Sequence, residues 1–120
     1  MPDTTNLIAN TIAAWNETDA DRRRSLIART WTADAGYVDP MREGHGHAEL
    51  NAMIAGVHER FSGPRVRLLG AVDAHHARVR FSWELLPETG EAVAKGTDFA
   101  EPGDDGRSRA VTGFFRCHHW

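Results

Sequence analysis

Arg78-Val79-Arg80-Phe81-Ser82-Trp83-Glu84-Leu85 alternates polar and apolar residues without a break, which is the period of a strand with one buried face. Pro87-Glu88-Thr89-Gly90 follows as a hairpin turn and residues 91–101 as another strand. Pro102-Gly103-Asp104-Asp105-Gly106 is the next turn, and Ala110-Val111-Thr112-Gly113-Phe114-Phe115-Arg116 the last strand. Upstream, Arg65-Val66-Arg67-Leu68 opens a strand, and Asp73-Ala74-His75-His76 reads as the turn joining it to this series. The second half of the chain is therefore an antiparallel meander. The alternation of Val79, Phe81, Trp83 and Leu85 suits either the core or a face that meets a second subunit.

In the first half the period changes to that of helices. Thr4, Thr5 or Asn6 offers an N-cap, after which Leu7, Ile8, Thr11, Ile12 and Trp15 share one helical face. Asn16-Glu17-Thr18-Asp19 interrupts that stripe, and a second helix is expected from about Asp21 to Thr30, burying Leu26 and Ile27 and exposing Arg22-Arg23-Arg24. Trp31 to Gly36 leads into the extended segment Tyr37-Val38-Asp39-Pro40. It stops there because proline lacks an amide hydrogen and holds the preceding residue extended. Gly44-His45-Gly46-His47 reads as a flexible loop. A third helix then carries Leu50, Met53, Ile54, Val57 and Phe61 until Ser62-Gly63-Pro64. Helices first and strands afterwards define an α+β domain, with N-terminal helices packed on a strongly curved antiparallel sheet.

At 120 residues the chain has the size of one domain, residues 1–120. Its 41% hydrophobic and 26% charged residues exclude disorder over most of its length. Fourteen Lys and Arg against 17 Asp and Glu give a net charge of −3, which weighs against a nucleic-acid partner. The single cysteine, Cys117, permits no internal disulfide and no cysteine-rich zinc site, which suits a reducing compartment. Neither a basic-then-apolar leader nor an apolar run of about 18 residues is present. The expectation is a soluble cytoplasmic protein without a membrane partner.

The order of elements and three motifs resembles the nuclear transport factor 2-like superfamily, especially its SnoaL-like and ketosteroid isomerase-like branch. The motifs are the N-terminal helix ending in Trp15-Asn16-Glu17-Thr18-Asp19, the segment Asp34-Ala35-Gly36-Tyr37-Val38-Asp39-Pro40, and Gly96-Thr97-Asp98-Phe99 with Asp104-Asp105-Gly106-Arg107 and Gly113-Phe114-Phe115. The resemblance implies a cone in which the bent sheet wraps around the long helix. It also implies an internal pocket for a small apolar molecule and a homodimer formed through the outer sheet face.

Within that resemblance, Asp39 is similar to the general base of the isomerases, which also precedes a proline. Asp98 is similar to their protonated aspartic acid that donates to an oxyanion, an arrangement for which ketosteroid isomerase is the standard worked case. The small residues Ala94, Gly96 and Ala100 share a face with Asp98 and leave space above the sheet. Asp39 can otherwise be a turn cap, and Asp98 an ion-pair partner of Arg80 or Arg109. The tyrosine that the isomerases carry on their first helix is Thr11 here. Tyr37, the only tyrosine, either replaces that donor or packs in the core.

Trp15, Trp31, Tyr37, Met41, His47, Trp83 and Phe115 are the candidate ligand-binding residues, with Trp120 the fourth tryptophan of the chain. His45 and His47 stand two apart and could chelate a metal with Asp39, but their flanking glycines weaken that reading. Neighbouring His75 and His76 suit an exposed turn. Cys117-His118-His119-Trp120 is a poor scaffold for a Cys–His pair. The expected function is proton transfer on an apolar carbonyl compound by Asp39 and Asp98, as isomerase, cyclase or dehydratase, with no cofactor. The alternatives are a ligand-binding or scaffold module on the same fold and metal-dependent hydrolysis.

Overall fold

The computed structural model describes residues 4–61 and 63–117. Of the Cys117-His118-His119-Trp120 tail, only the residue 117 backbone falls within that range, and Ser62 lies outside it. Helix α1 (Thr4–Asn16) buries Leu7, Ile8 and Thr11 of the expected stripe together with Ala14, while Ile12 and Trp15 are half-buried. Helix α2 (Ala20–Thr30) is capped by Asp19, whose carboxylate accepts the Arg22 amide at 2.9 Å. Arg23 departs from the solvated face assigned to the arginine run. It is buried, because its guanidinium donates to Asn51 Oδ1 (2.7 Å) and to the Glu17 carbonyl (2.9 Å), and those bonds offset the cost of taking the charge out of water.

Strand β1 (Trp31–Val38) begins where α2 ends, since Trp31 is already extended while its amide still bonds the Ile27 carbonyl. The segment read as a flexible Gly-His-Gly-His loop is instead strand β2 (Glu43–His45) followed directly by helix α3 (Gly46–Arg60). The pairs Gly36 with His45, Tyr37 with Gly44 and Val38 with Glu43 hold it in a ladder. Strands β3 (Arg65–His75) and β4 (Arg78–Leu86) are longer than expected. Asp73, Ala74 and His75 pair with Arg80, Val79 and Arg78, so the turn shrinks to His76 and Ala77. Strands β5 (Ala94–Pro102) and β6 (Ser108–Cys117) complete the meander.

The sheet order is β2-β1-β6-β5-β4-β3. It is mixed rather than wholly antiparallel, because β1 lies parallel to β6, with Tyr37 beside Val111 and Val38 beside Thr112. The three helices pack on one face of this unclosed sheet. Ile8, Ala14, Ile27, Leu50, Ile54 and Val57 meet Ala35, Tyr37, Val79, Phe81, Trp83, Leu85, Ala100 and Val111 there. The alternating β4 residues are thus core. On the opposite face Phe99 and Phe114 stack edge to face at 6.0 Å, with 43% and 59% of their surfaces exposed. Among the described residues no helix is long and apolar enough to cross a membrane.

One glycine decides how closely β4, β5 and β6 approach on the helix-covered face. A β-carbon on Gly96 would lie 2.6 Å from the Phe114 carbonyl oxygen, 2.6 Å from Phe115 Cβ and 2.7 Å from the Trp83 ring. The first of these contacts is backbone and cannot rotate away. Gly96→Ala is expected to destabilise the fold by about 1–3 kcal/mol, read as a lowered urea midpoint with unchanged denaturant dependence.

Candidate active site

Pro40 ends the β1 register, and the backbone turns back at once toward β2, so Asp39 sits on the corner. Its amide donates to the Arg42 carbonyl at 2.9 Å. Its Oδ1 accepts the amides of Met41 (2.8 Å) and Arg42 (2.9 Å), an Asx-type closure of the turn. Two residues earlier on the same strand face, Tyr37 donates its hydroxyl to Asp39 Oδ2 at 2.8 Å. The carboxylate that caps the turn is therefore also the acceptor for the only tyrosine in the chain.

Asp98 reaches the same place from β5. It is 5% exposed, and its Oδ1 accepts the indole N–H of Trp83 on β4 at 2.9 Å. The arginines considered as its partners are engaged elsewhere, Arg80 with Asp73 at 2.6 Å and Arg109 with Glu101 at 3.9 Å. Burial pushes the Asp98 pKa up, the Trp83 hydrogen bond opposes that, and the nearby Asp39 charge adds to it; the result is a rise from 3.8 to about 7. Tyr37 is raised well above its usual 10.0, first by burial and then by the charges of Asp98 and Asp39, so it stays a hydrogen-bond donor.

Gly113, which pairs with Asp98 across β5 and β6, is where these groups converge. A β-carbon there would lie 2.8 Å from Asp98 Oδ1, 3.3 Å from Asp39 Cβ and 3.5 Å from Tyr37 Oη. Any side chain there would press on all three residues, so glycine is what lets them approach. Asp98, Asp39 and Tyr37 all line a cavity of about 40 Å³, walled by Ile12, Trp15, Val57, Val66, Phe81, Trp83, Leu85 and Phe115. Its polar lining is Thr11, Tyr37, Asp39, Arg42 and Asp98. Trp15 packs on Tyr37 with ring centroids 6.0 Å apart, and Trp83 on Phe115 at 5.8 Å.

Of the residues singled out from the sequence, Asp39, Asp98, Trp15, Tyr37, Trp83 and Phe115 meet around this cavity. Three others do not line it. Trp31 is 1% exposed and belongs to the core. Met41 is 54% exposed, and it is the Met41 amide that bonds Asp39. His47 Nε2 donates to the Trp31 carbonyl at 2.8 Å, which ties α3 to the start of β1 instead of edging the cavity. Thr11 lines the cavity, but its hydroxyl donates back to the Leu7 carbonyl at 2.8 Å. Among the described residues no group of three or more His, Cys, Asp or Glu is placed to hold a metal ion.

Arg42 was not foreseen, although its place three residues after a turn-capping aspartate was a usable signal. Phe81 and Leu85 share the alternation that marked Trp83, whereas Val57 and Val66 come from α3 and β3 and carried no sign of a cavity.

Three helices on a bent, unclosed six-stranded sheet with a cavity at the helix-covered face make up the nuclear transport factor 2-like fold. Comparison with solved structures agrees. A candidate isomerase of the SnoaL-like family from Agrobacterium tumefaciens matches with a TM-score of 0.88 and 38% identity, over 93% of this chain and 96% of that one. The chain belongs to the SnoaL-like family. A candidate polyketide cyclase from Sinorhizobium meliloti (TM-score 0.72, 15% identity, 90% and 93% of the two chains) shares the fold. So does a candidate ketosteroid isomerase from Kribbella flavida (0.71, 19%, 92% and 76%). No family model matches the sequence, and no curated protein does.

The Asp98 carboxyl is expected to titrate near 7 by carbon NMR, assigned with Asp98→Asn. Because its folded pKa exceeds its unfolded one, its contribution to stability is complete below about 3.8 and is lost as pH rises through about 7. Asp98→Asn should remove that downward slope in pH-dependent urea unfolding, and a slope identical to the parent chain would refute the buried, neutral carboxyl.

Proposed function

We propose that this protein catalyses proton transfer on a small apolar carbonyl compound, as an isomerase, cyclase or dehydratase, without a cofactor. In this reading Asp39 takes a proton from carbon next to the carbonyl. The C–H electron pair moves into the enolate, and Asp98 in its neutral form donates a hydrogen bond to the oxygen on which charge develops. Returning the proton from Asp39 to a different carbon completes an isomerisation. Attack of the enolate carbon on a second carbonyl, whose π electrons pass to its oxygen as the Asp39 proton is delivered there, completes a cyclisation instead.

What carries the reading is the placing of two carboxyl groups in unlike surroundings within one apolar cavity. Asp98 is buried against an indole, while Asp39 lies on a polar corner held by three donors. The similarity to isomerase and cyclase folds supports the same chemistry. The cavity's 40 Å³ suits a small or partly inserted substrate more than a fully enclosed polycyclic one. The Thr11 hydroxyl, donated to Leu7, does not take the place of the missing helix tyrosine.

A module that binds a ligand without turning it over is the second reading, favoured by the full set of donors on Asp39. The two separate by deuterium exchange. A panel of cyclic ketones and 1,3-diketones in D₂O should lose α-protons faster with the protein than without it. Asp39→Asn should slow that exchange by about 10²-fold or more at unchanged fold. Exchange at the same rate in the variant, or none with the parent chain, would favour the binding module.

We propose further that two copies associate through the outer sheet face. The adjoining Phe99 and Phe114 rings make an apolar patch on a face otherwise carrying the Ser82–Thr97 hydrogen bond and the Arg67–Glu84 ion pair. Sedimentation should show a dimer that Phe114→Asp converts to monomer; a monomer in both cases ends this idea.

A further inference from the structure

The Tyr37–Asp39 hydrogen bond has a direction that the proposed chemistry must reverse. Tyr37 donates and Asp39 Oδ2 accepts, at 2.8 Å. The other oxygen, Oδ1, faces two backbone N–H donors, those of Met41 and Arg42. A proton arriving on Asp39 has no place on Oδ1, where an O–H would be aimed at two N–H groups. It settles on Oδ2, the oxygen that Tyr37 faces. A protonated carboxyl oxygen is a far poorer acceptor than a carboxylate one, so the phenolic hydrogen is free to turn to a better acceptor.

The cavity offers it another acceptor. Tyr37 lines that cavity together with Asp98, and its ring is buried and packed on Trp15. An oxygen atom of a ligand in the cavity is open to both side chains.

We infer that Tyr37 is a proton-gated donor: its hydroxyl is held by Asp39 while that carboxylate is charged, and is released to the substrate's oxygen when Asp39 takes up the substrate's proton. This rests on the acid/base reading above and adds the second oxyanion donor that Thr11 cannot supply. The balance is simple. One proton leaves carbon for Asp39 Oδ2, its electron pair passes into the enolate, and the Tyr37 proton keeps its covalent bond while changing its acceptor. The new hydrogen bond exists only once charge has developed on the substrate, so it stabilises the transition state and intermediate and not the ground state. Burial, which holds Tyr37 protonated, keeps the gate in its donor form.

Asparagine at position 39 reproduces the gated state without a substrate. Its Oδ1 must accept the Met41 and Arg42 amides, which leaves its Nδ2 opposite the Tyr37 oxygen as a donor. The probe is 4-nitrophenol, whose bound ionisation state is read from its absorbance, measured against the parent chain, Asp39→Asn, Tyr37→Phe and the double variant. Asp39→Asn is expected to bind the phenolate about ten-fold or more tightly than the parent, and adding Tyr37→Phe to take back most of that gain. The carbon NMR shift of the Tyr37 ring carbon bearing oxygen, unique in this chain, should move between the parent and Asp39→Asn as the carboxylate acceptor is lost.

An equal gain with and without Tyr37 would overturn the gate, since removal of the Asp39 charge would then explain it, while the oxyanion reading of the cavity survived. No phenolate binding to any form would overturn both. An unmoved Tyr37 shift would overturn the gate alone.

Discussion

Two carboxyl groups that face one aromatic-walled cavity cannot both be charged cheaply, and the site is arranged around that restriction. The chain answers by giving the two groups unlike neighbours. Asp39 stands on a turn where backbone amides and a phenol meet its oxygens, and Asp98 stands on a strand where an indole N–H is the polar contact. Burial at the strand favours the neutral form of Asp98. The rest of the architecture keeps these two environments apart yet in reach: a parallel pairing brings β1 beside β6, and an antiparallel one brings β6 beside β5.

Glycines set the distance. Gly113 lies between the two aspartates in the sheet, and any side chain there would fill the space they share. Gly96, two residues before Asp98 on the same face, lets Trp83 lie flat enough across the strands for its N–H to reach the carboxyl. Both positions are defined by what is missing, so the site's dimensions are properties of the backbone more than of the residues that carry its charges.

Much of this was legible in the sequence. The helical stripe of α1, the β4 alternation and the small residues flanking Asp98 are local patterns, and each gave the right face of the right element. Asp39 and Asp98 were singled out by their resemblance to the isomerase carboxylates, and Pro40 and the small residues beside Asp98 gave that resemblance a local setting. The errors share a cause as well. Trp31 was included as one of several large rings, His47 as half of a histidine pair and Met41 as an apolar neighbour of Asp39, but Trp31 belongs to the core, His47 bonds the Trp31 carbonyl and Met41 is exposed. Arg23 was read as solvated from a charge run, whereas Asn51, far along the chain, draws it inward. The parallel placing of β1 against β6 is likewise non-local, and no periodicity announces it.

That parallel pairing also sets an order of assembly. Asp39 and Tyr37 lie at the end of β1, whereas Asp98, Trp83 and the two close-packed glycines come from β4 to β6. The three helices and the first two strands come earlier in the chain. The cavity cannot be completed until β6, which brings Phe115 and joins β1 to β5, has been inserted between them. Until then Asp39 and Tyr37 have each other but no counterpart across the sheet, so a nascent or C-terminally shortened chain would carry the turn and its phenol without the cavity they line.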